Sequence, residues 1–425
     1  MPDAHEASPD STGTSRTSGH PPNTTGLAQN TNGPATPAPS RPVRARVTTS
    51  AVFALHAVVF GSWTPHIPLV KDRIGLNDGT LGLALLGGPI GSVIAMVAIG
   101  TFIARWGSRR SMIVTMIGYG AVAPLIGLAD SLLGLFLALG LLGAFQSALD
   151  ISMNAQAVAI EKGYARPVMS SFHAWWSFGA FAGTGIGILG VSIGLGLATQ
   201  LAIVGAVVAV AAPLLARPLI RDDRATDDHR IVLPWGNRWL LLLGAIMFAA
   251  LLCEGAAGDW AAVYLRDALD APAAVAGLGY AAFALAMLFG RAMGDRWVAA
   301  YGGGRVVAVL AASGAVALAA ALFIGHPLAA LAGLAVYGLG LACVVPVCFS
   351  AAAATSGSHA GHSIAAVATA GWAGFLVGPP AIGTLAHVTS LPLALGLLPI
   401  LCAAVMVGAL RMRGRVPTPE PSAAA

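Results

Sequence analysis

The chain has 425 residues, of which 56% are hydrophobic and only 10% charged, and its formal net charge is +5. A soluble domain of that make-up would lack the polar surface needed to cover its core, so the composition excludes a water-soluble globular protein and requires a bilayer. The four cysteines, Cys253, Cys343, Cys348 and Cys402, lie inside apolar runs without metal-ligand or disulfide spacing and read as small packed hydrophobes.

Residues 1–44 are rich in Ser, Thr, Pro, Gly and Asn, a composition that buries too little apolar surface to order, and read as a disordered tail. The tail has no basic start followed by an apolar run and a small-residue cleavage site, so no signal peptide is expected. From Val47 onward come about twelve apolar stretches, each near the length that crosses a hydrocarbon core. They begin near Val47, Gly79, Ser111, Leu132, Val168, Ala198, Trp239, Ala273, Val306, Leu328, Ser363 and Leu391. The longest polar interval between them runs from Arg217 to Arg238 and divides them six and six. The expectation is an all-α integral membrane protein of two pseudo-symmetric six-helix bundles. The first covers 45–217 and the second 238–412, with a cytoplasmic linker over 218–237 and a cytoplasmic tail over 413–425.

Orientation follows from the basic residues. With both termini cytoplasmic, eighteen of the 23 Lys and Arg flank spans on the inside, and only Lys71, Arg73 and Arg266 fall outside. That is a strong positive-inside bias, so the net charge has a topological cause and no nucleic-acid partner is expected. A shift of 195 residues superposes Asp72 on Asp267, Gly107 on Gly302, Arg110 on Arg305, Gly143 on Gly338, Gly179 on Gly374 and Gly183 on Gly378. A constant offset across so many spans is the trace of a duplicated six-helix half, the two copies related by an axis along the membrane normal.

Gly100-Thr-Phe-Ile-Ala-Arg105-Trp-Gly107-Ser-Arg109-Arg110, between spans 2 and 3, resembles the loop signature of the major facilitator superfamily, with Ala104 where that family usually has Asp. Gly290-Arg291-Ala-Met-Gly294-Asp295-Arg296 followed by Gly302 resembles the equivalent loop of the second half. Asp150 with Met153-Asn154, His173-Ala-Trp-Trp-Ser-Phe-Gly179, and Glu254-Gly255 and Asp259-Trp260 with Tyr264-Leu-Arg-Asp267 are similar to bacterial permeases of the fucose-permease-like branch. The resemblance, which covers about Val47 to Arg411, implies two bundles rocking about a cavity lined mainly by spans 1, 4, 7 and 10. It also implies a gate at Arg105, Arg109, Arg110, His173, Arg291, Asp295 and Arg296, where Asp295 carries alone the contact that Ala104 lacks.

The residues point to the same walls. Gln146, Asp150 and Asn154 recur at helical spacing and form a polar stripe on an apolar cylinder, with Glu161 further along. Ionisable groups inside a membrane are costly unless they face protein or a water-filled cavity, so Glu254, near the middle of span 7, and Asp150 both need a reason to be there. The candidate cavity set is His56, Trp63, Gln146, Asp150, Asn154, Glu254, Asp259, Trp260, Tyr337 and Trp372. Asp150 reads either as a latch to Arg166 or Arg109 or as a proton site, and Arg291 as a partner of Asp295 four residues on. Trp63, Trp175, Trp176, Trp260 and Trp372 could stack on a sugar face or on a flat aromatic drug. Gly378-Pro379-Pro380 is expected to break span 11, and Pro346 to kink span 10.

No phosphate-binding Gly-Lys-Ser/Thr loop, Gly-x-Ser-x-Gly elbow or His-Glu-x-x-His motif is present, which argues against ATP as the driver and against a membrane enzyme. His359 and His362 lack a third ligand and read as loop, so no metal and no cofactor are expected. An intramembrane carboxylate can load a proton from one side and lose it on the other when water access changes. The expectation is therefore a monomeric secondary transporter of a bacterial cytoplasmic membrane, moving a sugar-like or other small polar solute by alternating access with proton-coupled uptake. Glu254 is the expected coupler, with Asp150 and His56 secondary. Drug or metabolite efflux by proton antiport is the alternative, and a non-transporting receptor or membrane-embedded enzyme a further one.

Overall fold

The computed structural model describes residues 41–161, 163–164, 168–220, 237–356 and 360–412. Most of the expected N-terminal tail, nearly all of the linker, the C-terminal tail, Arg166 and the side chains of Ala104 and His362 lie outside the described residues, as does His359.

Among the described residues twelve helices are long and apolar enough to cross a membrane. In chain order they are span 1 (Val43–Ile74), span 2 (Asp78–Ile103), span 3 (Ser108–Leu128), span 4 (Leu132–Glu161), span 5 (Ser171–Ser192) and span 6 (Leu197–Leu215). There follow span 7 (Arg238–Ala268), span 8 (Ala273–Tyr301), span 9 (Gly303–Ile324), span 10 (Pro327–Ala354), span 11 (Ser363–Val388) and span 12 (Leu391–Arg411). No strand occurs among the described residues. Each span is built of helix, the conformation that lets a segment close backbone hydrogen bonds within itself as a lipid environment requires. Exposed apolar side chains such as Val97, Leu189, Val316 and Ile400 are the surface such an environment allows.

The packing repeats. Spans 1 and 5, 2 and 4, 3 and 6, and 3 and 4 form the extensive pairs of the first six, and 7 and 11, 8 and 10, 9 and 12, and 9 and 10 are their equivalents in the second. Between lipid-embedded helices no hydrophobic gain drives association, so small residues that let backbones touch carry much of it. At Gly143 a Cβ would stand 2.1 Å from the Gly88 carbonyl oxygen, and at Gly338 one would stand 2.3 Å from that of Phe283. Both members of the second contact are displaced from the first by the same 195 residues.

Backbone geometry repeats as well. Gly107 and Gly302, each opening the span after a loop, have φ of 80° and 81°. Gly75 has φ 74°, and its counterpart at the same offset, Asp270, is the positive-φ non-glycine residue at 52°. An aspartate in that left-handed region is uncommon, and the repeat explains it: the turn after span 7 copies the turn after span 1.

The two halves meet chiefly where span 5 packs on span 8 and span 2 on span 11, again a pair related by the repeat. Two expectations about breaks change. Span 11 runs as one helix through Pro379 and Pro380, and span 10 breaks between Leu341 and Val344, before Pro346. Span 1 is interrupted at Pro65 by a short 3-10 turn over Thr64–His66.

Candidate functional site

The polar centre is built on spans 5, 7 and 8. Arg291 on span 8 donates through Nη1 to the Ser177 hydroxyl at 2.8 Å. Its Nη2 reaches Glu254 Oε1 and Oε2 on span 7 at 3.2 and 3.4 Å. A single nitrogen thus serves both carboxylate oxygens, which is weaker than a forked pair with two parallel bonds. The side chains keep 13% and 12% of their surface accessible. The Ser177 hydroxyl in turn donates a hydrogen bond to the His173 carbonyl at 3.2 Å. The arginine therefore ties the carboxylate of the second half to span 5 of the first.

Beside this centre runs an aromatic chain. Trp176 donates its indole N–H to His56 Nδ1 at 3.0 Å. An indole nitrogen can only donate, so Nδ1 accepts and the neutral His56 ring carries its proton on Nε2. The Trp176 ring stacks on Phe60 at 6.5 Å, and Phe60 meets Tyr280 edge-on at 5.8 Å. Phe60 crosses to the second half, where a Cβ on Gly258 would stand 2.9 Å from its ring tip.

The other sequence candidates divide. Gln146, Asp150 and Asn154 are partly accessible on span 4. Asn154 Nδ2 bonds the Asp150 carbonyl and carboxylate at 2.9 and 3.2 Å, and Asp150 has no ion pair among the described residues. Asp259 is partly accessible and likewise without an ion pair among them. Trp372 is half-buried against Phe375 at 5.5 Å. Trp63 and Trp260 are packed into the core, and Tyr337 is buried with its hydroxyl on the Cys253 carbonyl at 2.8 Å. Trp175 is exposed. The five tryptophans thus reduce to two half-buried ones, Trp176 beside His56 and Trp372 beside Phe375.

Of the gating set, Arg105, Arg110, Asp295 and Arg296 are exposed, Arg109 is half-buried, and His173 is exposed with its ring edge against Phe53 at 5.5 Å. Asp295 joins no ion pair among the described residues; Arg291 turns inward to Glu254 in place of the expected i, i+4 partner. Glu161 is a helix cap: its Oε2 accepts the backbone N–H groups of Val168 and Met169, both at 2.7 Å, at the start of the helix that carries span 5.

Sequence reasoning missed two features. His66 Nε2 lies 3.0 Å from Gln200 Oε1, a buried pair that pins span 1 to span 6. At the end of the molecule that carries Lys71, ion pairs cross between the halves. Lys71 Nζ is 2.5 Å from Asp267 and 2.6 Å from Asp78, and Arg266 Nη2 is 2.7 Å from Asp72. The signal was present in the repeat, which set Asp72 on Asp267, but its meaning needed the fold. At the end that carries Arg105 no ion pair joins the halves among the described residues.

Comparison with known proteins decides the family. No family model matches the chain. It is 36% identical over 373 residues to a Yersinia pestis protein named an uncharacterised MFS-type transporter, covering 86% of this chain and 94% of that one. The chain belongs to the major facilitator superfamily. Two further relatives of this transporter are the membrane protein MosC of Rhizobium meliloti, 32% identical over 355 residues (82% and 86% covered), and the transporter y4wD of Sinorhizobium fredii, 32% over 366 residues (84% and 95%). Among solved structures the nucleoside transporter NupG superposes with a TM-score of 0.65 at 13% identity, covering 87% of this chain and 99% of that one, and a NupG variant with 0.67 over 87% and 100%. At that identity the likeness is one of fold. The relatives fix the class: the chain is a multi-pass membrane transporter of the superfamily, not an enzyme.

Proposed function

We propose that this transporter couples a proton to the uptake of a small, neutral, polar solute such as a sugar, and that it works as a monomer with both termini cytoplasmic. The observation that carries the proposal is the Glu254–Arg291 pair, partly accessible and tied to Ser177 of the other half. A lone charge held away from bulk water costs far more than a paired one, so ionised Glu254 holds Arg291 in place. When Glu254 takes a proton the pair loses its charge attraction, and Arg291 keeps only Ser177 and whatever the solute offers. Protonation and solute binding therefore bear on the same guanidinium. Among the described residues Asp150 and Asp259 have no cationic partner, and the guanidinium of the centre is already paired with Glu254, which favours a neutral solute over an anionic one. The basic residues, eighteen on one side against three on the other, support the orientation.

The test is reconstitution in vesicles with an imposed pH gradient and a solute panel of hexoses, polyols and nucleosides, the last because NupG is named a nucleoside transporter. Glu254→Gln should abolish accumulation against a gradient while exchange of solute for solute persists. Uphill accumulation by Glu254→Gln would exclude this residue as the coupler, and gradient-driven loss of flat aromatic compounds would establish the efflux reading.

A further inference from the structure

The ion pairs at the Lys71 end are reciprocal. Lys71-Asp72 ends span 1 and Arg266-Asp267 ends span 7, and the two dipeptides are separated by 195 residues, the offset of the internal repeat. Adjacent residues on a helix point about 100° apart, so neither basic group pairs with its own neighbour. A two-fold axis between the halves sets each basic side chain against the acidic side chain of the other dipeptide, as a self-complementary interface does. Both crossed contacts are made: Lys71 to Asp267 at 2.5 Å and Arg266 to Asp72 at 2.7 Å. The arms are unequal. Lys71 is 12% exposed and also holds Asp78 at the start of span 2, whereas Arg266 and Asp72 are 28% and 52% exposed.

Under the ion pairs the halves are in backbone contact. A Cβ on Gly82 of span 2 would stand 2.6 Å from the Pro379 carbonyl oxygen and 3.0 Å from Gly383 Cα of span 11. A Cβ on Gly277 of span 8 would stand 2.6 Å from Ile188 of span 5. At the opposite end Asp295 is exposed and joins no ion pair among the described residues. We infer that the crossed pairs are a duplicated latch that closes the Lys71 end in one of two access states and breaks in each transport cycle, with the Lys71–Asp267 arm the stronger. The inference rests on the transporter alternating between two access states, but not on which solute or ion it carries.

The test uses the full chain in detergent, with no solute and no proton gradient, so its failure is separate from failure of the coupling proposal. Ile188→Cys places a thiol in the closed seam, and the four native cysteines are buried and contribute little background. Its rate of maleimide labelling reads opening of the Lys71 end. Lys71→Gln and Asp267→Asn should each raise that rate by about fivefold or more, the low end of what a state-selective contact contributes. Arg266→Gln should raise it by about twofold, as an exposed pair would. Because Lys71 and Asp267 share one contact, the double variant should label little faster than either single one. Unchanged rates in the single variants, or single effects that simply multiply, would overturn the latch. If neutral variants do not fold, the Ile188→Cys chain alone decides: raising salt from 50 mM to 1 M should speed its labelling by screening the exposed arm, and a salt-independent rate would overturn the inference.

Discussion

Substitution Gly82→Ala is the sharpest test of which contacts belong to one access state. The added methyl would lie 2.6 Å from the Pro379 carbonyl oxygen, 3.0 Å from Gly383 Cα and 3.4 Å from the Pro379 carbonyl carbon. Ordinary contact begins at about 3.4 Å, so spans 2 and 11 must separate by up to about 0.8 Å, and the opposing atoms are backbone, with no rotamer to swing away. Overpacking of this kind costs about 1–3 kcal/mol, which corresponds to a shift of about 5- to 150-fold if the cost falls on one state alone. It does so only if the span 2–span 11 seam opens in the cycle. Gly179→Ala is the control. There the Cβ would stand 2.1 Å from the Ala54 carbonyl oxygen, a tighter clash, but between spans 1 and 5 of the same half, which travel together. Gly82→Ala should therefore speed maleimide labelling of Ile188→Cys by about fivefold or more with a modest loss of melting temperature. Gly179→Ala should lower the melting temperature strongly and leave labelling unchanged. If both variants lose stability with labelling untouched, the seam is permanent and the state argument fails.

Two further outcomes follow from the same geometry. Glu161→Ala removes the acceptor of two backbone N–H groups at the start of the span 5 helix and should cost about 1–2 kcal/mol in thermal or denaturant unfolding, with Glu161→Gln losing less; an unchanged transition would show that another acceptor replaces it. Asp295→Asn should leave thermal stability unchanged, since Asp295 is exposed and without an ion pair among the described residues, while favouring the form closed at Lys71, and Ala104→Asp should shift the balance the other way. Labelling of cysteines placed at the Arg105 ends of spans 4 and 10 reads both, and identical rates in the two variants would assign that gate to other residues.

The spans were legible because a bilayer imposes a length on every apolar run, and the twelve begin within a few residues of where the apolar runs do. The repeat was legible as an offset, and the paired φ angles at Gly107 and Gly302 and at Gly75 and Asp270 give it physical content. The site was legible only in part, because helical periodicity tells which residues share a face and not which faces meet. Arg291 has Asp295 in its own helix at an ideal spacing, yet it turns to Glu254 and Ser177, which the fold brings to it from spans 7 and 5. His66 and Gln200, far apart in sequence, showed no motif at all. Pro379 and Pro380 looked like a break because proline ends helices in water. Span 11 is held on both sides by spans 2 and 7, and packing of that kind carries a transmembrane helix through proline.

The repeat also separates what moves the protein from what it recognises. Where the two halves keep the same groups at an offset of 195, the residues are helix contacts, turns and the crossed ion pairs, the parts that both halves need in order to pivot on each other. At the residues of the proposed site the halves differ. The counterparts of Glu254 and Arg291 are Val59 and Met96, those of His56 and Trp176 are Leu251 and Gly371, and that of Asp150 is Val345. A cavity with true two-fold symmetry would offer a solute the same face twice and could not orient it. In the proposed site the second half supplies the carboxylate, the guanidinium and Tyr280, and the first supplies Trp176, Phe60, the histidine and the serine that tethers the guanidinium. Substitutions at repeated positions should accordingly change how often each access state is populated, and substitutions at unrepeated positions should change which solute is bound and whether a proton accompanies it.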